Sequence, residues 1–242
     1  MTRSLVVAVS QPPVTSLDVA RNAAVHAAVV RAASARVVVF PELSLTGYEL
    51  AAPLLDPDDS RLAPLVTACA ETGTTALAGA PVAGPHIAML AVDRDGVRVV
   101  YRKQHPHGDD EARFRPGPAP AVLEVDGWRL GLAICRDTGI ADHAAATAAL
   151  GIDAYLAGAA DQPEADEMMA ERARRISSTY GVWVGFACFA GPTGDPFPQT
   201  AGRSGIWRPD GTVAARAGRA AGEIVRVRLD AGPASASSSG RG

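Results

Sequence analysis

Apolar residues along this chain gather into short unbroken runs, separated by longer segments in which they recur at helical spacing. Runs at residues 5–9, 37–40, 75–79, 87–92, 97–101, 121–125 and 130–134 have the length and the Val, Ile, Leu and Ala content of buried strands. The pattern continues at 154–157, 182–187, 205–207 and 223–227. Helix-length segments lie between them, at about 17–35, 62–71, 141–150 and 165–178. This alternation predicts a layered α/β or α+β chain, and periodicity alone would equally suit a doubly wound sheet.

Local signals sharpen the boundaries. Ser16 can cap the first helix, Asp18 complements its dipole, and Val25, Val29 and Ala32 share one face. Asp93-Arg94-Asp95-Gly96 lies between two strand-like runs and reads as a hairpin turn, a chemistry repeated at Pro209-Asp210-Gly211. The chain contains no internal repeat, and residues 1–230 read as a single domain. After Asp230 the composition turns to Ala, Gly, Pro and Ser with no large apolar group, so residues 231–242 are expected to form a disordered tail.

Composition narrows the function classes. With 23 basic and 26 acidic residues the net charge is -3, which gives no electrostatic reason to expect nucleic acid as a partner. The apolar run at 5–9 is ended by Ser10, Gln11 and two prolines before a signal peptide or membrane span develops, so a cytoplasmic protein with no membrane partner is expected. Cys69, Cys135 and Cys188 are far apart and lack metal-ligand spacing, and the five histidines show no metal pattern. Neither a metal nor an organic cofactor is expected.

Three segments place a reactive side chain at or just past the end of an apolar strand, where layered enzymes display functional groups. In Val39-Phe40-Pro41-Glu42-Leu43, Pro41 ends the strand and holds Glu42 at its edge as a candidate base. In Tyr101-Arg102-Lys103-Gln104-His105, Lys103 closes a strand. In Leu130-Gly131-Leu132-Ala133-Ile134-Cys135-Arg136-Asp137, a strand ends in cysteine ahead of a helix near Ala141, a setting in which N–H groups and a helix end favour thiolate. Taken singly, each has an ordinary explanation: a solvated glutamate, a surface lysine, a buried structural thiol.

Together, and in this order, the three blocks resemble the signature blocks of the nitrilase, or carbon–nitrogen hydrolase, superfamily. The resemblance extends through Val7-Ala8-Val9-Ser10-Gln11, Asn22, Arg113-Phe114-Arg115-Pro116-Gly117 and Gly202-Arg203-Ser204-Gly205-Ile206-Trp207-Arg208-Pro209-Asp210-Gly211, and so covers all but the tail. It implies a four-layer α-β-β-α sandwich that assembles as a homodimer or higher homo-oligomer. It also implies hydrolysis of a small amide or N-carbamoyl compound through a thioester on Cys135. In that scheme Glu42 is the base, and Lys103 with the Arg136 N–H stabilises the oxyanion.

A second glutamate is common in such proteins, and Glu111 is the match by residue type. The usual spacing, four residues before the phenylalanine, falls instead on Asp110. Tyr48 and Arg136 are the candidate substrate-binding residues, and the segments at 157–162 and 191–200 fall where relatives build the acyl pocket. Cys-x-Asp at residues 135–137 argues against nitriles as substrates, which leaves nitrile hydrolysis as the alternative activity and a catalytically silent interaction scaffold as the alternative class.

Overall fold

The computed structural model describes residues 3–194 and 197–230; the tail expected at 231–242 lies outside the described residues. In chain order the elements are β1 (Ser4–Gln11), α1 (Val19–Ala33), β2 (Val37–Val39), α2 (Ala63–Thr72), β3 (Thr75–Val82), β4 (His86–Asp93), β5 (Gly96–Arg102), β6 (Ala121–Val125), β7 (Trp128–Ile134), α3 (Ala141–Ala148), β8 (Ala154–Ala159), α4 (Asp166–Tyr180), β9 (Trp183–Cys188), β10 (Gly205–Trp207), β11 (Val213–Arg216) and β12 (Glu223–Asp230). They form two sheets of six strands, in the orders β12-β1-β2-β3-β4-β5 and β11-β10-β9-β8-β7-β6. Each sheet has three neighbouring parallel strands, β1-β2-β3 in one and β7-β8-β9 in the other, flanked by antiparallel ones.

The side-chain alternation of the strands explains the layering. Val7, Val9, Val37, Val39 and Leu77 point to the space between the sheets, where they meet Leu130, Leu132, Ile134 and Leu156. The intervening Ala8, Val38, Ala76 and Ala78 face α1 and α2, packing with Val30, Leu65 and Ala68. On the second sheet Ala133, Tyr155, Ala157 and Phe186 likewise meet Ala144 of α3 and Met169, Ala173 and Ile176 of α4. Both faces of the central strands are therefore buried, which is why these read as continuous apolar runs rather than alternating ones. The architecture is the α-β-β-α sandwich that the resemblance implied. Among the described residues no helix is long and apolar enough to cross a membrane.

Several local expectations change. The cap of α1 is Asp18, whose Oδ1 accepts from the Arg21 N–H at 3.0 Å, rather than Ser16. The helix also stops at Ala33, because Ser34 takes a left-handed conformation. The short, half-exposed β11 carries no apolar run and was not anticipated.

Two glycines let the chain after β2 pass between the layers. A Cβ on Gly79 of β3 would stand 2.2 Å from the Leu43 nitrogen, and one on Gly158 of β8 would stand 2.6 Å from the Phe40 carbonyl oxygen and 2.9 Å from the Glu42 nitrogen. Backbone atoms cannot yield as a flexible side chain would, so the segment at residues 40–43 is held on one side by each sheet. Gly158→Ala should therefore lower stability by roughly 1–3 kcal/mol and shift Glu42. A thermal melt with unchanged midpoint would contradict this.

Candidate active site

Glu42 is set by the end of β2. The Phe40 N–H still donates to Leu77 O at 2.8 Å, but Pro41 has no N–H, so pairing stops there, and Leu43 turns the chain with φ of 52°. The Glu42 side chain is buried; its Oε1 accepts from Lys103 Nζ at 2.7 Å and its Oε2 has no hydrogen-bond partner. Burial raises the carboxyl pKa to about 7. The Lys103 charge opposes that rise, while Asp110 and Asp161 add to it.

Lys103 follows β5 with its backbone held on both sides, its N–H donating to Ile87 O at 2.8 Å and its carbonyl accepting from Gly117 N at 2.7 Å. Its ammonium is buried and donates to Asp110 Oδ2 at 2.6 Å as well as to Glu42. Desolvation works against the ammonium, but Glu42, Cys135 and Asp110 outweigh it and hold its pKa above the ordinary lysine value. Asp110 in turn accepts from the Tyr48 hydroxyl at 2.8 Å.

The residue beside Lys103 is thus Asp110, and Glu111, favoured on residue type, is exposed. The reason is geometric. The Phe114 N–H donates to Asp110 O at 2.8 Å, so these two residues lie over one another on the inner side of a turn, and both are buried. Glu111, one position on, faces out.

Cys135 begins a single 3-10 turn, Cys135–Gly139, with φ of 43°, an unusual conformation for a non-glycine residue and one that presents the side chain sharply off the end of β7. Its Sγ donates to Ala160 O at 3.6 Å. Burial, together with the Glu42 and Asp161 carboxylates, pushes the thiol well above its ordinary pKa despite Lys103. This corrects the expectation that a helix end would favour thiolate. The helix starts only at Ala141, and burial with the charges of Glu42 and Asp161 outweighs that of Lys103.

Asp137 joins the cysteine and lysine segments. Its carboxylate, fully buried, accepts from Ile134 N at 3.1 Å, from His105 N at 2.9 Å and from the Tyr101 hydroxyl at 2.7 Å. The Tyr101 oxygen can then accept from His143 Nε2 at 2.9 Å, and His143 Nδ1 from the Tyr155 hydroxyl at 3.0 Å, a chain that is satisfied by a neutral imidazole. Burial lowers the His143 pKa, in keeping with that form.

Lys103, Asp110 and Cys135 open on one cavity of about 360 Å³. The Tyr48 ring and Arg136 line it too, but the Tyr48 hydroxyl is committed to Asp110. Asp161 and Arg172 also reach the cavity. Asp161 falls in the 157–162 segment expected at the acyl pocket, though not named there, and Arg172 was not anticipated, because an arginine on a helix carries no local mark of a site. Among the described residues no cluster of three or more His, Cys, Asp or Glu side chains could hold a metal ion.

The family model for carbon-nitrogen hydrolase matches residues 6–236. The chain belongs to the carbon–nitrogen hydrolase family. This hydrolase is 31% identical to a protein from Pseudomonas protegens described as the hydrolase in the pqqF 5' region, over 89% of this chain and 80% of that one. It is 29% identical to the glutamine-dependent NAD(+) synthetase of Rhodobacter capsulatus, spanning 84% of this chain but only 39% of that enzyme. Its fold matches an amidase of the nitrilase superfamily from Nesterenkonia with TM-score 0.83 and 23% identity, covering 93% of this chain and 90% of that one. Other structures of that amidase hold butyramide, or the acetamide moiety of fluoroacetamide joined to its active-site cysteine.

The three thiols of the hydrolase differ in access: Cys69 and Cys188 are buried, while Cys135 faces the cavity. Iodoacetamide should alkylate Cys135 ahead of the other two. Glu42 can accept the thiol proton only when ionised, so the rate should fall as pH drops through about 7. Peptide mapping that found Cys69 or Cys188 labelled first would contradict the assignment. At the lysine, Asp110→Asn should cost at least about 100-fold in turnover and Glu111→Gln less than about twofold, a contrast that steady-state kinetics would reverse if Glu111 were the partner.

Proposed function

We propose that this carbon–nitrogen hydrolase cleaves a small amide through a thioester on Cys135. The observation that carries the reading is the buried chain Asp110–Lys103–Glu42, which ends in an unpartnered Glu42 oxygen and adjoins the cavity that Cys135 faces. Glu42, with a pKa raised to about 7, can both accept and return a proton near neutrality.

In the first half-reaction Glu42 takes the thiol proton as Sγ bonds to the amide carbon, and the carbonyl electron pair moves to oxygen. The Lys103 ammonium, which cannot readily lose its proton here, and the Arg136 N–H face the resulting oxyanion. Collapse breaks the C–N bond, and Glu42 passes its proton to the departing nitrogen, leaving a thioester. In the second half-reaction Glu42 accepts a proton from water as the hydroxyl adds to the thioester carbon. The C–S bond then breaks, the acid leaves, and the proton returns to sulfur. Because the resting thiol is neutral, ionisation accompanies attack instead of preceding it.

Amides rank first among substrates on the strength of the butyramide bound by the Nesterenkonia amidase, and N-carbamoyl compounds suit the same chemistry. Glu42→Gln keeps size and hydrogen bonding but removes the base, so it should reduce turnover at least about 100-fold with the melting temperature little changed. With a slow substrate, intact-mass measurement should show an acyl adduct, mapped to the peptide containing Cys135. Wild-type rates in the glutamine variant, or an adduct elsewhere, would overturn the mechanism.

A further inference from the structure

Beyond Glu42, Lys103 and Asp110, the cavity is charged in a particular way. Arg136 and Arg172 both line it, and among the described residues neither forms an ion pair or a hydrogen bond to any oxygen; the one polar contact of Arg172 is to the Met168 sulfur at 3.2 Å. By contrast, Arg203, Arg216 and Arg219 on the same half of the molecule all pair with the single carboxylate of Asp166. Arg172 is also deliberately accommodated: its guanidinium lies flat against Gly139, where a Cβ would stand 3.0 Å from both Cζ and Nη2. A side chain at 139 would press the guanidinium away from that place beside the Cys135 turn.

Opposite charge is there as well. Asp161 follows Ala160, whose carbonyl contacts the nucleophilic sulfur, and lines the same cavity with its carboxylate hydrogen-bonded to nothing among the described residues. Burial raises its pKa and Arg172 is the leading charge that counters this; the two groups line one cavity and share no hydrogen bond. Leu50, Met168 and Phe197 supply apolar wall in between.

We infer that this cavity receives a free α-amino acid whose side chain ends in a primary amide, with the ammonium held by Asp161 and the carboxylate by Arg172 and Arg136. An α-amino acid presents both charges on one carbon, and a carboxylate and a guanidinium that line one cavity yet share no bond are the complement of such a head group. A purely anionic amide would leave Asp161 facing a like charge, and a purely cationic one would leave two arginines unsatisfied. The inference rests on the thioester mechanism proposed above and adds to it the substrate's distal half.

The test compares kcat/KM for ammonia release from L-glutamine, L-asparagine, glutaramate, 4-aminobutanamide and butanamide, with acylation of Cys135 followed by intact mass. Glutaramate lacks the amine of glutamine, 4-aminobutanamide lacks the carboxylate, and butanamide lacks both. One of the two amino acids should exceed every singly charged or neutral amide by at least roughly tenfold. Arg172→Gln, Asp161→Asn and Gly139→Ala should each shrink the ratio of that amino acid to butanamide to within about threefold, mainly through KM. If butanamide or a singly charged amide matches both amino acids while still acylating Cys135, the head-group site is wrong and the thioester mechanism stands. If no amide acylates Cys135, both fall. The substrate series uses the unmodified protein, so poor folding of a variant cannot decide the outcome.

Discussion

The arrangement of this protein turns on one buried ammonium. Lys103 is almost wholly removed from water, and a charge so placed is tolerated only if it is paired and hydrogen-bonded. It meets two carboxylates, Glu42 and Asp110, at 2.7 and 2.6 Å. Two segments distant in sequence, the end of β2 and the stretch from Lys103 to Asp110, are thereby tied at one point. Removing any one of the partners would strand a charge, which makes the cluster both demanding to assemble and rigid once formed.

The same cluster sets the resting electrostatics. Burial, helped by the negative charges of Asp110 and Asp161, raises the Glu42 pKa to about 7, and burial with Glu42 and Asp161 keeps the Cys135 thiol protonated despite Lys103. In the mechanism proposed above, a neutral thiol beside a carboxyl of pKa about 7 ionises only as a carbonyl takes the electron pair. Lys103 holds its proton firmly, which suits the electrostatic role proposed for it.

Assembly of the site depends on the sandwich. Glu42 leaves the middle of the first sheet, Lys103 its edge strand, and Cys135 the second sheet, and they meet because the two sheets face one another across a common apolar core. Gly79 and Gly158 admit the glutamate segment between the layers, and Asp137 ties the cysteine turn to the lysine segment through His105 and Tyr101. Gln11 adds a further tie, its amide bridging Ser204 N and Ala220 O, loops that close the second sheet. The chemistry-bearing end of the cavity is thus over-determined. Arg136, Asp161 and Arg172, which line the same cavity, make no ion pair among the described residues.

Much of this was legible without coordinates, for a physical reason. Strands buried on both faces must be apolar along their whole length, so their positions, and the reactive residues that end them, stand out from the chain: Glu42 after Pro41, Lys103 after β5, Cys135 after β7. Their shared order carried the family and, through it, the four layers that periodicity alone left open. What the tertiary structure alone decided concerns direction and charge. Asp110 and Glu111 are neighbours of similar chemistry, and only the turn that stacks Asp110 over Phe114 determines which carboxylate faces the lysine. Cys135 was expected to be favoured as thiolate by a helix end, yet burial, together with carboxylates contributed from remote segments, reverses the sign. Gly139 and Arg172 have no local signature at all, since a pairing between a helix arginine and a loop glycine exists only once α4 has packed beside the cysteine turn. Local sequence encodes where a strand ends; electrostatic potential and register at the site are sums over segments that only folding brings together.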